Sequence, residues 1–533
     1  MRRRSLALCL VLLAGPSAGC IHTFSRIEAE PIRTRPAPAM PVAADSARAA
    51  PPVTFTTPVR AYLVDGSVVL FRNGARLETQ RLTGVAEGVR ASGSPFVTIA
   101  VPLDSLVGAE TYVQRANDAD GALVSLMSTA LVVAGLALLA PVLFGSCPTV
   151  YDGQSGQVVE AELFSNAIAP LLEHRDVDRL GTVRATADGR VVLDVRNEAL
   201  ETHHVNHLEL LAAAHAPGET VLQTADDRFV RLRNVRPVLA ATTRDGDDAA
   251  ARLAAPDGHA LRTADARLRA TTPGDLTDHV DLTLGTDGRD TVALVLRLRS
   301  SLLSTRMLYD EMLAGQGAQA LDWMGRDLQR FDRVIELTTF VQQRFGLRVL
   351  VRPSGTDAPF REAGRVSDGA PSAWQDAAVV LPTGGAARLD VRLESTADAV
   401  HLDYAALADV AGFVRPRRIP LARLDVGGRA DESARQRVAD SDTSYVQTFP
   451  GQRLGLTFDV RRAGTASGAD TPETYFLAGQ GFYTEWMRPG WLATPRPAPF
   501  RTTDSTLVRV MHRWAADRDA YAVRFDASRV PVR

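Results

Sequence analysis

Beyond Cys147 the apolar residues of this chain fall at every second position over many short runs, and that period admits little besides β-sheet. Val191, Leu193 and Val195 alternate with polar neighbours. Val280, Leu282 and Leu284 do the same, as do Val292, Leu294, Leu296 and Leu298. Asp287-Gly288 stands between the last two runs and predicts a hairpin. Thr383-Gly384-Gly385 joins the apolar run 379–381 to Leu389, Val391 and Leu393, and Pro450-Gly451 precedes Leu454, Leu456, Phe458 and Val460. The repetition predicts a mainly β, multi-domain protein built of β-sandwich-like modules. One stretch departs from it. Leu321, Met324, Leu328, Phe331 and Ile335 follow steps of three and four, which predicts one amphipathic helix ending near Gly346 and packed on a sheet.

The N-terminal part reads as four pieces. Arg2, Arg3 and Arg4 precede an apolar run over residues 6–14, and Ser17-Ala18-Gly19-Cys20 closes it. That order is a lipoprotein export signal over residues 1–19, with Cys20 as the acylated residue. Residues 20–58 are rich in Pro, Ala, Ser and Thr and read as an extended tether. Residues 59–116 predict a small β barrel-like domain. Within it Asp65-Gly66 and Asn73-Gly74 separate short apolar runs as hairpin turns do, and a further strand spans 96–101. Residues 121–145 form the longest apolar segment. Residues 122–145 carry no charge, and a helix of that length exceeds a hydrocarbon core of about 30 Å. The segment reads either as a membrane-spanning helix or as one buried in protein. The remainder divides into a β-rich domain over 146–300, a helical segment over 301–346 and a C-terminal β-sandwich-like domain over 347–533.

Composition excludes several kinds of chemistry. Net charge is −2 over 533 residues, which lacks the basic footprint of a nucleic-acid-binding protein. All 60 basic residues are Arg, so neither a Schiff-base lysine nor a phosphate-loop lysine exists. No G-x-S-x-G, H-E-x-x-H or paired C-x-x-C pattern occurs, and no cofactor is expected. Of the three cysteines, Cys9 belongs to the signal and Cys20 to the anchor. Cys147 is left alone, without an intrachain disulfide partner.

Two clusters carry possible chemistry. The first holds Glu198, Glu201, His203, His204 and His207. On a helix His203 and His207 would be neighbours able to chelate a metal with Glu201. On a strand they share a face but stand about 13 Å apart, too far for one zinc ion. The favoured reading is structural, with a metal-dependent hydrolase as the alternative. The second cluster is aromatic: Phe482, Tyr483 and Trp486, followed by Trp491, in a chain with 6% aromatics. It reads as sheet core, or alternatively as a surface for a glycan or peptide.

Ser146-Cys147-Pro148-Thr149-Val150-Tyr151, placed after the apolar segment, resembles a recurring segment of uncharacterised bacterial envelope lipoproteins. Ala167-Ile168-Ala169-Pro170, Asn197-Glu198 with Glu201-Thr202, and Gly481-Phe482-Tyr483-Thr484-Glu485-Trp486 extend the likeness over most of the chain. The resemblance implies an exported protein with a β-rich body and implies no activity. The expectation is a non-catalytic lipoprotein with a structural or interaction role, bound to membrane lipid through Cys20 and meeting a protein or glycan partner. Ile21 after the cysteine favours the outer membrane, facing the periplasm.

Overall fold

The computed structural model describes residues 26–31, 52–115, 148–461, 471–485 and 501–532, with short gaps inside the second and third ranges. Cys20, residues 122–145, Cys147, Trp486 and Trp491 lie outside them. The chain is mainly β and divides into two units. One is Met1–Pro141 with Phe449–Gly451, and the other is Val142–Thr448 with Gln452–Arg533. Among the described residues no helix is long and apolar enough to cross a membrane, and the apolar segment read as a helix falls outside them.

The first unit contains β1 (Arg26–Pro31), β2 (Val53–Phe55), β3 (Val59–Leu63), β4 (Val68–Phe71), β5 (Ala75–Leu77), β6 (Arg81–Ala86), β7 (Val97–Pro102) and β8 (Leu106–Arg115). They form two four-stranded sheets, β1-β8-β3-β4 and β2-β5-β6-β7, rather than one curled barrel. Val59, Ala61, Val69, Phe71 and Ala109 of the first meet Ala75, Leu82 and Val101 of the second in a common core. β3 and β4 pair as the sequence predicts. Asn73-Gly74 does not close a hairpin: it carries the chain from β4 in one sheet to β5 in the other. Gly74 has φ +85°, and a Cβ there would stand 1.9 Å from the Phe55 carbonyl oxygen, so the crossing requires glycine. Two pieces of the stretch read as a tether are strands. β1 pairs with β8 and β2 with β5, because the ends of the Pro-rich stretch supply main-chain hydrogen bonds to exposed strand edges.

The second unit has three sheets. The largest, of ten strands, is ordered β10 (Val158–Glu162), β9 (Thr149–Asp152), β12 (Arg190–Arg196), β27 (Arg453–Asp459), β24 (Arg417–Val426), β13 (Glu201–Ala214), β28 (Glu473–Glu485), β11 (His174–Arg179). Short β25 (Arg429–Ala430) and β26 (Val446–Thr448) pair beside β24 and β13. β14 (Thr220–Thr224), β15 (Phe229–Pro237), β23 (Val400–Val414), β18 (Thr291–Ser300) and β21 (Gln375–Pro382) curl into a barrel-like sheet. β16 (Ala240–Thr243), β17 (Thr277–Gly285), β22 (Arg388–Thr396), β19 (Leu347–Pro353) and β20 (Arg361–Val366) make a five-stranded sheet. Partners come from both ends of the sequence: β12 pairs with β27, β13 with β28 and β17 with β22. The segments 146–300 and 347–533 are therefore interleaved in one unit instead of forming separate domains.

The two glycine turns differ from expectation in the same way. β17 and β18 flank Asp287-Gly288 yet belong to different sheets, as do β21 and β22 around Thr383-Gly384-Gly385. Each strand pairs with the other segment's strand, β17 with β22 and β18 with β21. The turns also bond to one another, Thr286 N to Ala387 O (3.0 Å) and Thr383 N to Asp290 O (3.0 Å). Burial explains the exchange. Leu282 and Leu284 face Leu294, Leu296, Leu298, Val379 and Leu381 across the gap between two sheets, where a flat hairpin would leave one face uncovered.

Of the expected helix over 321–346, the described residues show Trp323 and Met324 as helical and then α1 (Phe331–Arg344). Leu328, part of the apolar stripe, sits in a turn. A long helix, α2 (Asp504–Ala527), lies near the C-terminus where β-sandwich was expected. The Thr503 side chain caps it by accepting from Thr506 N. Leu507, Val510, Met511, Trp514 and Tyr521 pack against Leu268, Leu276, Leu303, Met307 and Phe340. Trp514 is 1% exposed, and its Nε1–H donates to Asp398 Oδ2 at 2.7 Å.

Trp514→Ala is expected to lower the unfolding free energy by about 3–5 kcal/mol through the cavity it leaves. Trp514→Phe, which keeps most of the volume and loses the bond to Asp398, should cost about 1–3 kcal/mol. Urea unfolding followed by tryptophan fluorescence and circular dichroism measures both. Equal losses for the two variants would show that the Nε1 bond rather than the ring volume secures α2.

Candidate functional site

β13 settles the histidine cluster, because it is a strand throughout and pairs with β28 along its length. The register steps from Val205↔Gly481 to His207↔Gln480, so Asn206 is the extra residue of a bulge. Its side chain holds the bulge from both ends: Nδ2 donates to Asp442 O (2.6 Å) and Oδ1 accepts from Asp442 N (3.0 Å). The bulge reverses the alternation. Val205 lines the core before it, and Leu208, Leu210 and Ala212 line the same core after it. His203 and His207 therefore lie on opposite faces, where a regular strand would put them on one.

Each candidate side chain has its own neighbours. His203 is buried against Phe164, with ring centroids 6.3 Å apart. Burial and the nearby His204 hold its pKa down at about 3. Neutral imidazole thus donates from Nε2 to Glu201 Oε1 at 2.8 Å, as a hydrogen bond and not an ion pair. His204 stacks on Phe482 at 4.3 Å and 4°, with Thr484 Oγ1 3.3 Å from Nε2 and Gln447 Nε2 3.3 Å from Nδ1. His207 Nε2 lies 3.7 Å from Glu209 Oε1. Burial pushes the Glu209 carboxyl up, yet the adjacent His207, the hydrogen bond from Arg175 and the charge of Arg418 outweigh it and hold the pKa at about 2. Glu198 accepts from Tyr151 Oη (2.8 Å) and Arg529 Nη1 (3.0 Å). Among the described residues no group of three or more His, Cys, Asp or Glu side chains is placed to hold a metal ion.

The aromatic candidates separate. Phe482 is 7% exposed and Tyr483 2%, and Tyr483 Oη donates to Ser165 O (3.1 Å). Both are interior groups, while Trp486 and Trp491 lie outside the described residues. Facing Glu201 across the ladder is the equally buried Glu485, which accepts from Tyr309 Oη at 2.6 Å.

A cleft elsewhere in the second unit gathers more polar chemistry. β10 and β11 are the two ends of the ten-stranded sheet. The sheet curls until they meet, and side chains close the seam in place of a ladder. Asp176 Oδ2 accepts from Phe164 N (2.9 Å) and Asp178 Oδ2 from Glu162 N (3.0 Å). Burial pushes the Asp178 pKa well up, helped by the charge of Asp176, and burial also raises that of Asp176. Beside the seam a cleft of about 340 Å³ opens between β10, β11 and the barrel strands β14, β18 and β21. Arg179 Nη1 binds Asp376 Oδ2 (2.7 Å), and Arg297 Nη1 binds Asp376 Oδ1 (3.2 Å). Arg297 also approaches Asp403 (3.3 Å) and Glu160 (3.6 Å). Glu160 Oε2 in turn accepts from Trp374 N (2.8 Å). The Arg299 guanidinium lies 4.5 Å from the Trp374 ring centroid. Arg179 Nε and Gln375 Oε1 are buried without hydrogen-bond partners.

The sequence reading missed this cleft, although a signal was present. Arg297 and Arg299 interrupt the apolar run of β18, a strand covered on both faces. A charge in such a strand needs local partners.

No known protein family matches the chain, and no curated protein matches it. Among solved structures it aligns with a GH31 alpha-xylosidase from Xanthomonas citri at 10% identity and TM-score 0.13, covering 81% of this chain and 38% of that one. An arabinofuranosyltransferase from Mycobacteria aligns at 10% identity and TM-score 0.14, covering 87% and 32%. The chain thus spans about a third of the length of these structures.

The seam and the histidine respond to pH in opposite senses. Above pH 3.8, and up to its raised folded-state pKa, Asp178 holds its proton in the folded protein better than in the unfolded chain. Stability from this group therefore falls as pH rises through that window. Asp178→Asn should raise stability at pH 7 by on the order of 1 kcal/mol and leave it unchanged near pH 3. His203 takes up a proton in the unfolded chain at about 6.5 and in the folded protein only at about 3, so its contribution is lost as pH falls between those values. His203→Phe should flatten that acid limb. Urea midpoints from pH 3 to 8 for the wild type and both variants test the assignment, and parallel profiles would refute it.

Proposed function

We propose that this chain is a membrane-anchored lipoprotein of the bacterial cell envelope with a non-catalytic structural or interaction role, facing the periplasm from the outer membrane. The observation that carries the non-catalytic reading is the use made of the best-equipped side chains. Glu201, His203, His204 and Phe482 are spent on packing and hydrogen bonds between β13, β28 and their neighbours. A metal-dependent hydrolase needs several ligands converging on one point, whereas the bulge at Asn206 sends His203 and His207 to opposite faces.

The anchor rests on Ser17-Ala18-Gly19-Cys20 following the basic and apolar segments. One acyl chain binds a membrane marginally and two or more hold it firmly, so a multiply acylated Cys20 needs no spanning helix to stay attached.

Metabolic labelling with palmitate should mark the wild type and leave Cys20→Ser unlabelled. The variant should also move from the membrane fraction to the soluble fraction. Equal labelling of the two proteins would remove the anchor from the proposal.

A further inference from the structure

We infer that the cleft between the sheet seam and the barrel binds a neutral saccharide. It gives the interaction role proposed above a ligand class. The two stand separately, because sugar binding is read without a membrane and lipid labelling without a sugar.

The charges of the cleft cancel one another. Arg179 and Arg297 share Asp376, and Arg297 reaches Glu160 and the buried Asp403 as well. An incoming anion would face Glu160 and Asp376 and would compete with them for arginines already engaged. A cation would have to break the same pairs from the other side. A neutral ligand leaves the network whole.

Two atoms specify that ligand further. Arg179 and Gln375 both line the cleft, and Arg179 Nε, a donor, and Gln375 Oε1, an acceptor, are buried without a hydrogen-bond partner. A hydroxyl group accepts and donates at a single oxygen, so a polyol matches a lining that offers both donors and acceptors. Trp374, Val158 and Phe476 add apolar surface to the lining, which suits the C–H faces of a sugar ring. The volume of about 340 Å³ falls at the small end of ligand pockets, the scale of one or two sugar rings. An extended peptide fits less well. Peptides add to sheet edges through main-chain hydrogen bonds, and at this seam the Phe164 and Glu162 amides already donate to Asp176 and Asp178.

The test uses the full mature chain in a detergent without a sugar headgroup. Maltose, cellobiose and N,N′-diacetylchitobiose are titrated by calorimetry and saturation-transfer NMR, with tri-alanine as the peptide probe. At least one saccharide should bind, and Gln375→Leu and Trp374→Ala should each weaken it tenfold or more. Gln375→Leu removes an acceptor that has no partner, so its melting temperature should match the wild type even if Trp374→Ala fails to fold. Trp486→Ala and Cys20→Ser should bind as the wild type does. Failure of all three sugars to bind would overturn the inference. So would binding of tri-alanine in their place, or binding lost in Trp486→Ala and retained in Gln375→Leu.

Discussion

The second unit depends on β18 being covered on both faces. Leu294, Leu296 and Leu298 point into the gap shared with the five-stranded sheet. Ala293 and Val295 point the other way, into the barrel with Leu222, Val230, Leu232, Ala378, Ala406 and Ala408. The small residues follow from geometry, since a barrel of few strands has a narrow interior. The strand is thus a common wall, and its apolar surface belongs to two cores at once. Removing one layer would expose the other side of the same strand to water, which couples the barrel and the five-stranded sheet energetically.

That double burial also shows where the sequence was legible. Alternation identified the strands, because a period of two survives whatever sheet a strand joins: β12 keeps Val191, Leu193 and Val195 buried, as its pattern predicts. Pairing was not legible. Asp287-Gly288 and Thr383-Gly384-Gly385 have the local conformations of tight turns, with φ between 54° and 78° at Asp287, Gly288, Gly384 and Gly385. Those angles reverse the chain equally well within a sheet or between two. Facing sheets are selected by burial of Leu282 against Leu294, an interaction no local window contains. The same limit hid α2. Leu507, Val510, Met511 and Trp514 have helical spacing in the sequence, but the surrounding β expectation absorbed them.

The candidate side chains were visible by type and invisible by direction. A single extra residue at Asn206 determines what His203 and His207 can reach, and a bulge carries no composition of its own to announce it. Its cause is a two-way bond to Asp442, more than two hundred residues away. Cleft residues were harder still. Gln375 and Asp376 form an ordinary strand start just after Trp374, and the three acquire chemistry only when β10 and β11 arrive beside them.

The position of the cleft follows from the topology. An open sheet has two edges whose main-chain groups need partners. Curling β10 toward β11 brings those edges together without a regular ladder between them, so side chains must supply the missing acceptors. Asp176 and Asp178 do so for two amides. Where the strands diverge toward the barrel, no backbone can fill the gap, and a purely apolar lining would strand the edge groups dry. Arginine–carboxylate pairs meet that requirement because each member carries several hydrogen-bonding atoms. Planar groups that are held by one another leave some atoms unmatched, and Arg179 Nε and Gln375 Oε1 are such remainders. The same constraint that closes the sheet thus leaves a small polar opening, with fixed donors and acceptors, on an otherwise packed body.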